Sequence, residues 1–168
     1  MSSIEHLRKQ QVADKTIIIR KAAVEDLPAL LDFEQGIIAA ERPFDKNLKP
    51  EKISYYDLND YITRDDVEVL VAVDGDKVIA SGYAKIRPSK DFMQEEQHSY
   101  LGFMYVLPEY RGYGINQMIV EELIMWSQQQ RLSVIYLEVY HGNQPALNAY
   151  QKAGFQPFIT EMRLNLDD

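Results

Sequence analysis

Three strand-like runs stand one after another in the middle of the chain, and they restrict the fold more than any other feature. Val67 to Val73 is a β-branched, largely apolar run; Asp74-Gly75-Asp76-Lys77 follows as a hairpin turn; Val78 to Ile86 returns. A third run, from about His98 to Val106, extends this antiparallel meander after a loop around Pro88 to Glu95. Helical spacing resumes only after that, with Ile115, Met118, Ile119, Leu123 and Trp126 on one face, and the strand Val134 to Val139 comes next. A doubly wound fold alternates strand and helix throughout, so three consecutive strands exclude it.

The flanks complete the pattern. Thr16 to Arg20 reads as a first strand, and Leu27, Leu30, Leu31, Ile37 and Ile38 recur at helical spacing before Glu41-Arg42-Pro43 ends the helix. Pro50 opens a further helical segment through Tyr55, Tyr56, Leu58, Tyr61 and Ile62. Asn143 caps a short helix through Tyr150 that Gly154 stops, and a last strand is expected near Phe155 to Leu166. The expected fold is mixed α/β, with a mostly antiparallel central sheet and helices on both faces. Residues 1–15 are polar and read as a flexible N-terminal segment, and residues 16–168 as a single domain.

Several function classes drop out on composition. The net charge of −8, with no basic run, disfavours the phosphate contacts that nucleic-acid binding needs. With no cysteine, disulfides, thiolate metal sites and cysteine nucleophiles are excluded together, and His6, His98 and His141 are too far apart in sequence to suggest a metal cluster. No apolar leader or run of ~18–20 apolar residues is present, so no membrane span is expected and a cytoplasmic location follows.

Chemistry enters at Arg111-Gly112-Tyr113-Gly114-Ile115-Asn116, which joins the third run of the meander to the amphipathic helix. A strand that passes through a glycine turn into a helix start lines up free N–H groups with the positive end of the helix dipole, which suits a phosphate. The turn lacks the Lys-Ser/Thr pair of a P-loop and the spacing of a dinucleotide fingerprint. Some thirty residues later stands a second block, Asn143 to Phe155 (NQPALNAYQKAGF). Together with Val106-Leu107-Pro108-Glu109-Tyr110 before the turn, the two blocks resemble the GNAT N-acetyltransferase superfamily, and the order of elements agrees from Thr16 to Leu166.

The resemblance implies acetyl-CoA as donor, with its pyrophosphate on N–H groups of Arg111, Gly112, Tyr113, Gly114, Ile115 and Asn116. It implies a slot where the strand ending at Val106 splays from the strand around Leu137 to Tyr140, with the pantetheine arm paired to the backbone of Met104, Tyr105 and Val106. The Val106 N–H would polarise the thioester carbonyl, Asn143 and Ala146 would border the pantetheine region, and Tyr150 would protonate the departing thiolate. The family's turn usually closes on glycine or alanine, where this chain has Asn116.

For the base that deprotonates the amine, Ser99 to Val106 contains no carboxylate, so His98 is the best-placed substitute, followed by Glu96, Glu138 or ordered water. Glu41, Arg42, Tyr55, Tyr56, Asp57 and Arg87 fall where the family places its variable acceptor walls, and their mixed charge suits a small amino-acid-like acceptor or a peptide terminus. The expected reaction is acetyl transfer to a primary amine by direct attack. A non-catalytic acyl-CoA-binding regulatory domain is the alternative, and a homodimer is compatible with either.

Overall fold

In the computed structural model, which describes residues 5–167, six strands form one sheet in the order β1 to β6. β1 (His6–Val12), β2 (Lys15–Lys21), β3 (Val67–Asp74), β4 (Lys77–Pro88) and β5 (Gln97–Val106) are antiparallel neighbours, and β6 (Ile135–Leu137) joins β5 in parallel. Helices α1 (Leu27–Glu41) and α2 (Leu58–Thr63) pack on one face through Leu30, Phe33, Ile37, Leu58 and Ile62. Helix α3 (Ile115–Gln129) covers the other through Ile115, Met118, Ile119 and Leu123, and Tyr150 of α4 (Gln144–Lys152) packs on that same side. β3 explains its own sequence: Val69, Val71 and Val73 meet α1 and α2, while Leu70 and Ala72 meet α3, so both faces are buried and the run is apolar throughout. The mixed, mostly antiparallel sheet with helices on both faces is thus present. Among the described residues, no helix is long and apolar enough to cross a membrane.

Four details differ from the sequence reading. Residues 6–12, expected to be flexible, form the edge strand β1, which a hairpin at Ala13 and Asp14 pairs with β2 and which Arg8 ties to Glu121 of α3 at 2.6 Å. An edge strand with solvent on both sides needs no apolar alternation, so its polar sequence carries no strand signal. Residues 1–4 of that segment lie outside the described residues.

The helix expected from Pro50 starts only at Leu58. Glu34, buried in α1, accepts hydrogen bonds from the Tyr55 N–H (3.0 Å), the Tyr56 N–H (2.8 Å) and the Ser54 hydroxyl (3.0 Å), which holds residues 54–56 extended. Asp57 then caps α2, its side chain accepting from the Asp60 N–H. The strand expected over 134–139 is ordered as a ladder only at Ile135–Leu137, and residues 155–166 form no strand.

Candidate active site

The site begins with one extra residue in β5. β4 and β5 keep register as far as Tyr83 opposite Gly102, but Ser81 then pairs with Tyr105, so Phe103 and Met104 together stand against Gly82. This is a β-bulge, with Phe103 at φ 59°. The bulge reverses the faces: Leu101 packs on the α3 side, while Phe103, two residues on, packs on the α1 and α2 side. Gly82 makes it fit, because a Cβ there would lie 2.6 Å from the Met104 sulfur and 2.9 Å from Ile119. Ser81 locks the kink by donating to the Phe103 carbonyl at 3.1 Å.

Beyond the bulge, β5 loses its neighbour. β6 pairs only with Ser99 to Leu101, so Gly102 to Val106 has no strand on that side and a slot opens. The cavity there has a volume of about 370 Å³. Met104, Tyr105 and Val106 border it from β5; Tyr110, Arg111, Gly112, Gly114, Ile115 and Asn116 from the turn and α3; and Ala146, Ala149 and Tyr150 from α4.

The turn is shaped by its glycines. Gly112 (φ 85°) and Gly114 (φ 78°) adopt left-handed backbone with open space where a Cβ would stand, so conformation, not crowding, demands glycine. Gly114 is the N-cap of α3; it carries no side-chain cap, and no acidic residue occupies the first helical turn. The first N–H groups of α3 therefore lack partners within the helix and face the slot with the dipole behind them. Arg111 crosses the mouth, its Nε donating to the Val106 carbonyl at 2.9 Å and its guanidinium 5.6 Å from the Tyr105 ring centre. Tyr110 fastens the turn to the β3–β4 hairpin by donating to Asp74 at 2.7 Å.

Ten of the twelve residues expected to hold the donor line this cavity. Tyr113 instead turns outward, 55% exposed, toward Val12 and Lys15, and Asn143 caps α4 by accepting from the Ala146 N–H at 3.3 Å. Tyr110 and Ala149 were missed by the sequence reading. Ala149 carried a signal, since 146, 149 and 150 share one face at helical spacing.

On the α1 and α2 side the sheet is covered by a cluster of tyrosines. Tyr56 packs edge-on against Tyr83 (5.5 Å) and Phe103 (5.4 Å), and Phe44 stacks on Tyr140 (5.8 Å), whose hydroxyl donates to Asp45 at 3.2 Å. Arg87 lies 3.6 Å over the Tyr100 ring, and the Tyr100 hydroxyl meets the Glu138 carboxylate. Glu41, the last residue of α1, faces the Tyr55 hydroxyl, which is buried without a hydrogen bond of good geometry among the described residues.

Burial raises the Glu41 carboxyl above the usual carboxylate range, with the Asp45 charge adding to it and the Tyr55 hydroxyl opposing it. The tyrosines move the same way: burial pushes Tyr150 up to about 12, with help from the Glu41 charge, and Tyr140 also reaches about 12 through burial and then Glu41. These phenols stay protonated at neutral pH, so they can donate a hydrogen but cannot serve as bases.

His98 lies away from the slot. It stands opposite Arg87 at the far end of β5, eight residues or roughly 26 Å of strand from Val106. There its Nδ1 meets the Ser89 hydroxyl at 2.8 Å, its ring stands edge-on to Tyr136 at 4.7 Å, and burial and Arg87 lower its pKa.

A sheet kinked and splayed over a glycine turn narrows the candidates, and comparison with known proteins decides between them. A model of the acetyltransferase (GNAT) family matches residues 35–155. The chain belongs to the GNAT family. It is similar to the L-methionine sulfoximine/L-methionine sulfone acetyltransferase of Pseudomonas paraeruginosa, at 26% identity over 166 residues that cover 89% of this chain and 94% of the relative. Among solved structures, a mutant of the BH1408 protein from Bacillus halodurans aligns with TM-score 0.80 at 24% identity, covering 89% of this chain and 99% of that one. A predicted acetyltransferase from Clostridium acetobutylicum with acetyl-CoA aligns with TM-score 0.69 at 20% identity, covering 89% and 96%.

This GNAT protein is an N-acetyltransferase that uses acetyl-CoA as its donor. The slot has the chemistry for that molecule: uncapped N–H groups at the start of α3 suit a pyrophosphate, and the unpaired edge of Met104 to Val106 suits the amides of a pantetheine arm.

Proposed function

We propose that this GNAT enzyme acetylates the primary amine of a small amino-acid-like acceptor. The observation that carries this reading is the tyrosine cluster on the α1 and α2 side, where Glu41 beside Tyr55 and Glu138 beside Tyr100 would offer negative charge to an ammonium and Arg87, over the Tyr100 ring, would offer a guanidinium to a carboxylate. The charges of all three residues act on Tyr100, which supports this reading. The name of the Pseudomonas relative, an acetyltransferase of two methionine derivatives, supports the same class.

Acetyl-CoA supplies the activated acyl group. The N–H groups of the 111–116 turn hold its phosphates, and the Val106 N–H faces the carbonyl oxygen on which negative charge develops. Glu41 takes His98's expected role: its raised carboxyl accepts the proton that the ammonium must lose before nitrogen attacks the carbonyl carbon. As the carbon–sulfur bond breaks, Tyr150 donates its phenolic hydrogen toward the departing sulfur. Asn116, at the corner of the slot, retains its N–H and adds an amide side chain beside the phosphates.

The test is thiol release from acetyl-CoA with L-methionine sulfone, L-methionine sulfoximine and a panel of free amino acids, each beside its carboxamide. Masking the carboxylate is expected to raise acceptor KM by at least ~10-fold, the loss of one charged hydrogen-bond partner. Equal turnover of acids and carboxamides, or turnover confined to polyamines, would remove Arg87 from the reading and with it the acceptor class.

A further inference from the structure

Arg111 holds a backbone group that the donor also needs. The Leu107 N–H donates to the Ile79 carbonyl at 2.9 Å, and in a trans peptide the preceding carbonyl points the opposite way, so the Val106 carbonyl is aimed off β4 and into the slot. β6 pairs no further along β5 than Leu101, so no strand reaches that carbonyl. A side chain takes the place of one: Arg111 Nε donates to it at 2.9 Å, with the guanidinium 5.6 Å from the Tyr105 ring centre. A pantetheine arm laid along Met104 to Val106 by amide pairing competes for the same acceptor.

The rest of the guanidinium is unengaged. Among the described residues its Nη groups make no hydrogen bond or ion pair, the residue is exposed, and the adjacent acid, Glu109, is paired with Lys77 at 3.1 Å. Arg111 lines the same cavity as Gly114, Ile115 and Asn116 at the start of α3, where uncapped N–H groups suit a pyrophosphate. A guanidinium binds phosphate bidentately and with charge on both partners, whereas a carbonyl offers it a single neutral acceptor. The side chain thus has two partners of unequal strength, one on each side of the slot's mouth.

We infer that Arg111 is a latch that makes the slot selective for donors that carry phosphate. Seated on Val106, the guanidinium denies that carbonyl to a pantetheine amide; drawn to a phosphate at the turn, it releases it. A pantetheine thioester without phosphate has to displace Arg111 unaided, so it binds at only a fraction of its intrinsic affinity. The backbone of the turn recognises phosphate, and Arg111 transmits that recognition to the strand edge. The latch depends on the donor slot as described and is independent of the acceptor.

The experiment is calorimetric titration of the full chain with pantetheine, inorganic pyrophosphate and coenzyme A, each alone, and with pantetheine at saturating pyrophosphate. In the wild type, pyrophosphate is expected to tighten pantetheine by ~10-fold, the low end for a charged hydrogen bond because the site is exposed. In Arg111→Met, pantetheine alone is expected to bind ~10-fold tighter than to the wild type, pyrophosphate to add nothing, and coenzyme A to bind at least ~10-fold more weakly. Turnover follows the same crossover, with acetyl-pantetheine a better donor and acetyl-CoA a poorer one in the variant.

Pyrophosphate that leaves pantetheine affinity in the wild type unchanged, or lowers it, overturns the latch without recourse to any variant. A variant that loses affinity for both pantetheine and coenzyme A overturns it too and makes Arg111 a brace of the turn, and one that loses coenzyme A alone makes it a phosphate contact only. A wild type that binds no coenzyme A removes the slot and the latch with it, whereas coenzyme A binding without coupling removes the latch alone.

Discussion

Replacing Tyr150 by phenylalanine removes one hydroxyl and leaves the ring that packs edge-on to Phe155 at 6.1 Å, so the substitution isolates the hydrogen that Tyr150 can give. Burial holds this phenol at about 12, whereas an ordinary thiol titrates near ~8.5. Complete transfer of the proton to the thiolate is then uphill by about 3.5 units, or about 5 kcal/mol, so the hydroxyl stabilises the charge growing on sulfur by sharing its hydrogen. A hydrogen bond to a charged group is worth ~1.5–3 kcal/mol, which predicts a fall in kcat of ~10–150-fold with little change in the acetyl-CoA KM. The assay is initial-rate thiol release at saturating donor and acceptor. A variant with kcat within twofold of the wild type, or with KM raised at constant kcat, would leave Tyr150 a packing residue. A loss beyond ~10⁴ would refute the sharing argument and demand full transfer. Because the phenol stays protonated up to about 12, no descending limb in kcat between pH 8 and 10 is expected from it.

Glu41→Gln should lower kcat by ~10²-fold or more, yet leave Tm at pH 7 equal to or above that of the wild type. The sign follows from linkage: the folded Glu41 carboxyl is raised, so the folded chain binds that proton more tightly, and stability falls as pH rises from the unfolded value through the folded one. Melting curves from pH 4 to 7 check it, and a clearly lower Tm for the variant would contradict it. Gly114→Ala should cost ~1–2 kcal/mol through left-handed strain at φ 78° and raise the acetyl-CoA KM without moving the acceptor KM, with Gly114→Asn milder; urea melts and steady-state kinetics read both. Burial alone would lift the Asp26 carboxyl, but two bonds from Arg20 (2.7 and 2.9 Å) and one from the Ala23 N–H (2.7 Å) outweigh it and leave it lowered. Its contribution is present above the ordinary aspartate range and is lost as pH falls through the folded value, so Asp26→Asn should cost ~2–4 kcal/mol in urea melts at pH 7 and progressively less as the pH falls below that range.

The elements legible in the sequence are those whose side chains meet a core. β3 and β4 showed themselves through burial on two faces, and α3 through its one apolar stripe. What stayed hidden was held by single polar contacts or by nothing local. β1 is polar because it is an edge; residues 54–56 are extended because Glu34, twenty residues earlier, binds their N–H groups. The slot was legible because its needs are backbone needs, written as Gly112 and Gly114. On the acceptor side the sequence named Glu41, Arg87 and Glu138 but not how they meet, since they come from three separate stretches of the chain. His98 could not be placed from the sequence for a simple reason of length: a strand sets its two ends far apart, and His98 and the slot stand at opposite ends of β5.

The bulge at Phe103 links the two halves of the site. A regular β5 would keep its ladder with β4 and leave Leu101, Phe103 and Tyr105 on one face, under α3, with no aromatic wall against α1 and α2. The extra residue sends Phe103 and Tyr105 to the acceptor side, where they meet Tyr56 and Phe33, and returns Met104 and Val106 to the donor side. The kink falls just past Leu101, where pairing with β6 ends, and that is where the strands part to admit the donor. A carbonyl carbon held at Val106 is therefore flanked by donor groups on one face of the sheet and acceptor groups on the other. In the proposed reaction the amine reaches that carbon from the α1 and α2 side, through the gap that opens where β6 pairing ends at Leu101. The proposed direct attack, with Glu41 on the acceptor side and Tyr150 on the donor side, is compatible with such a gap.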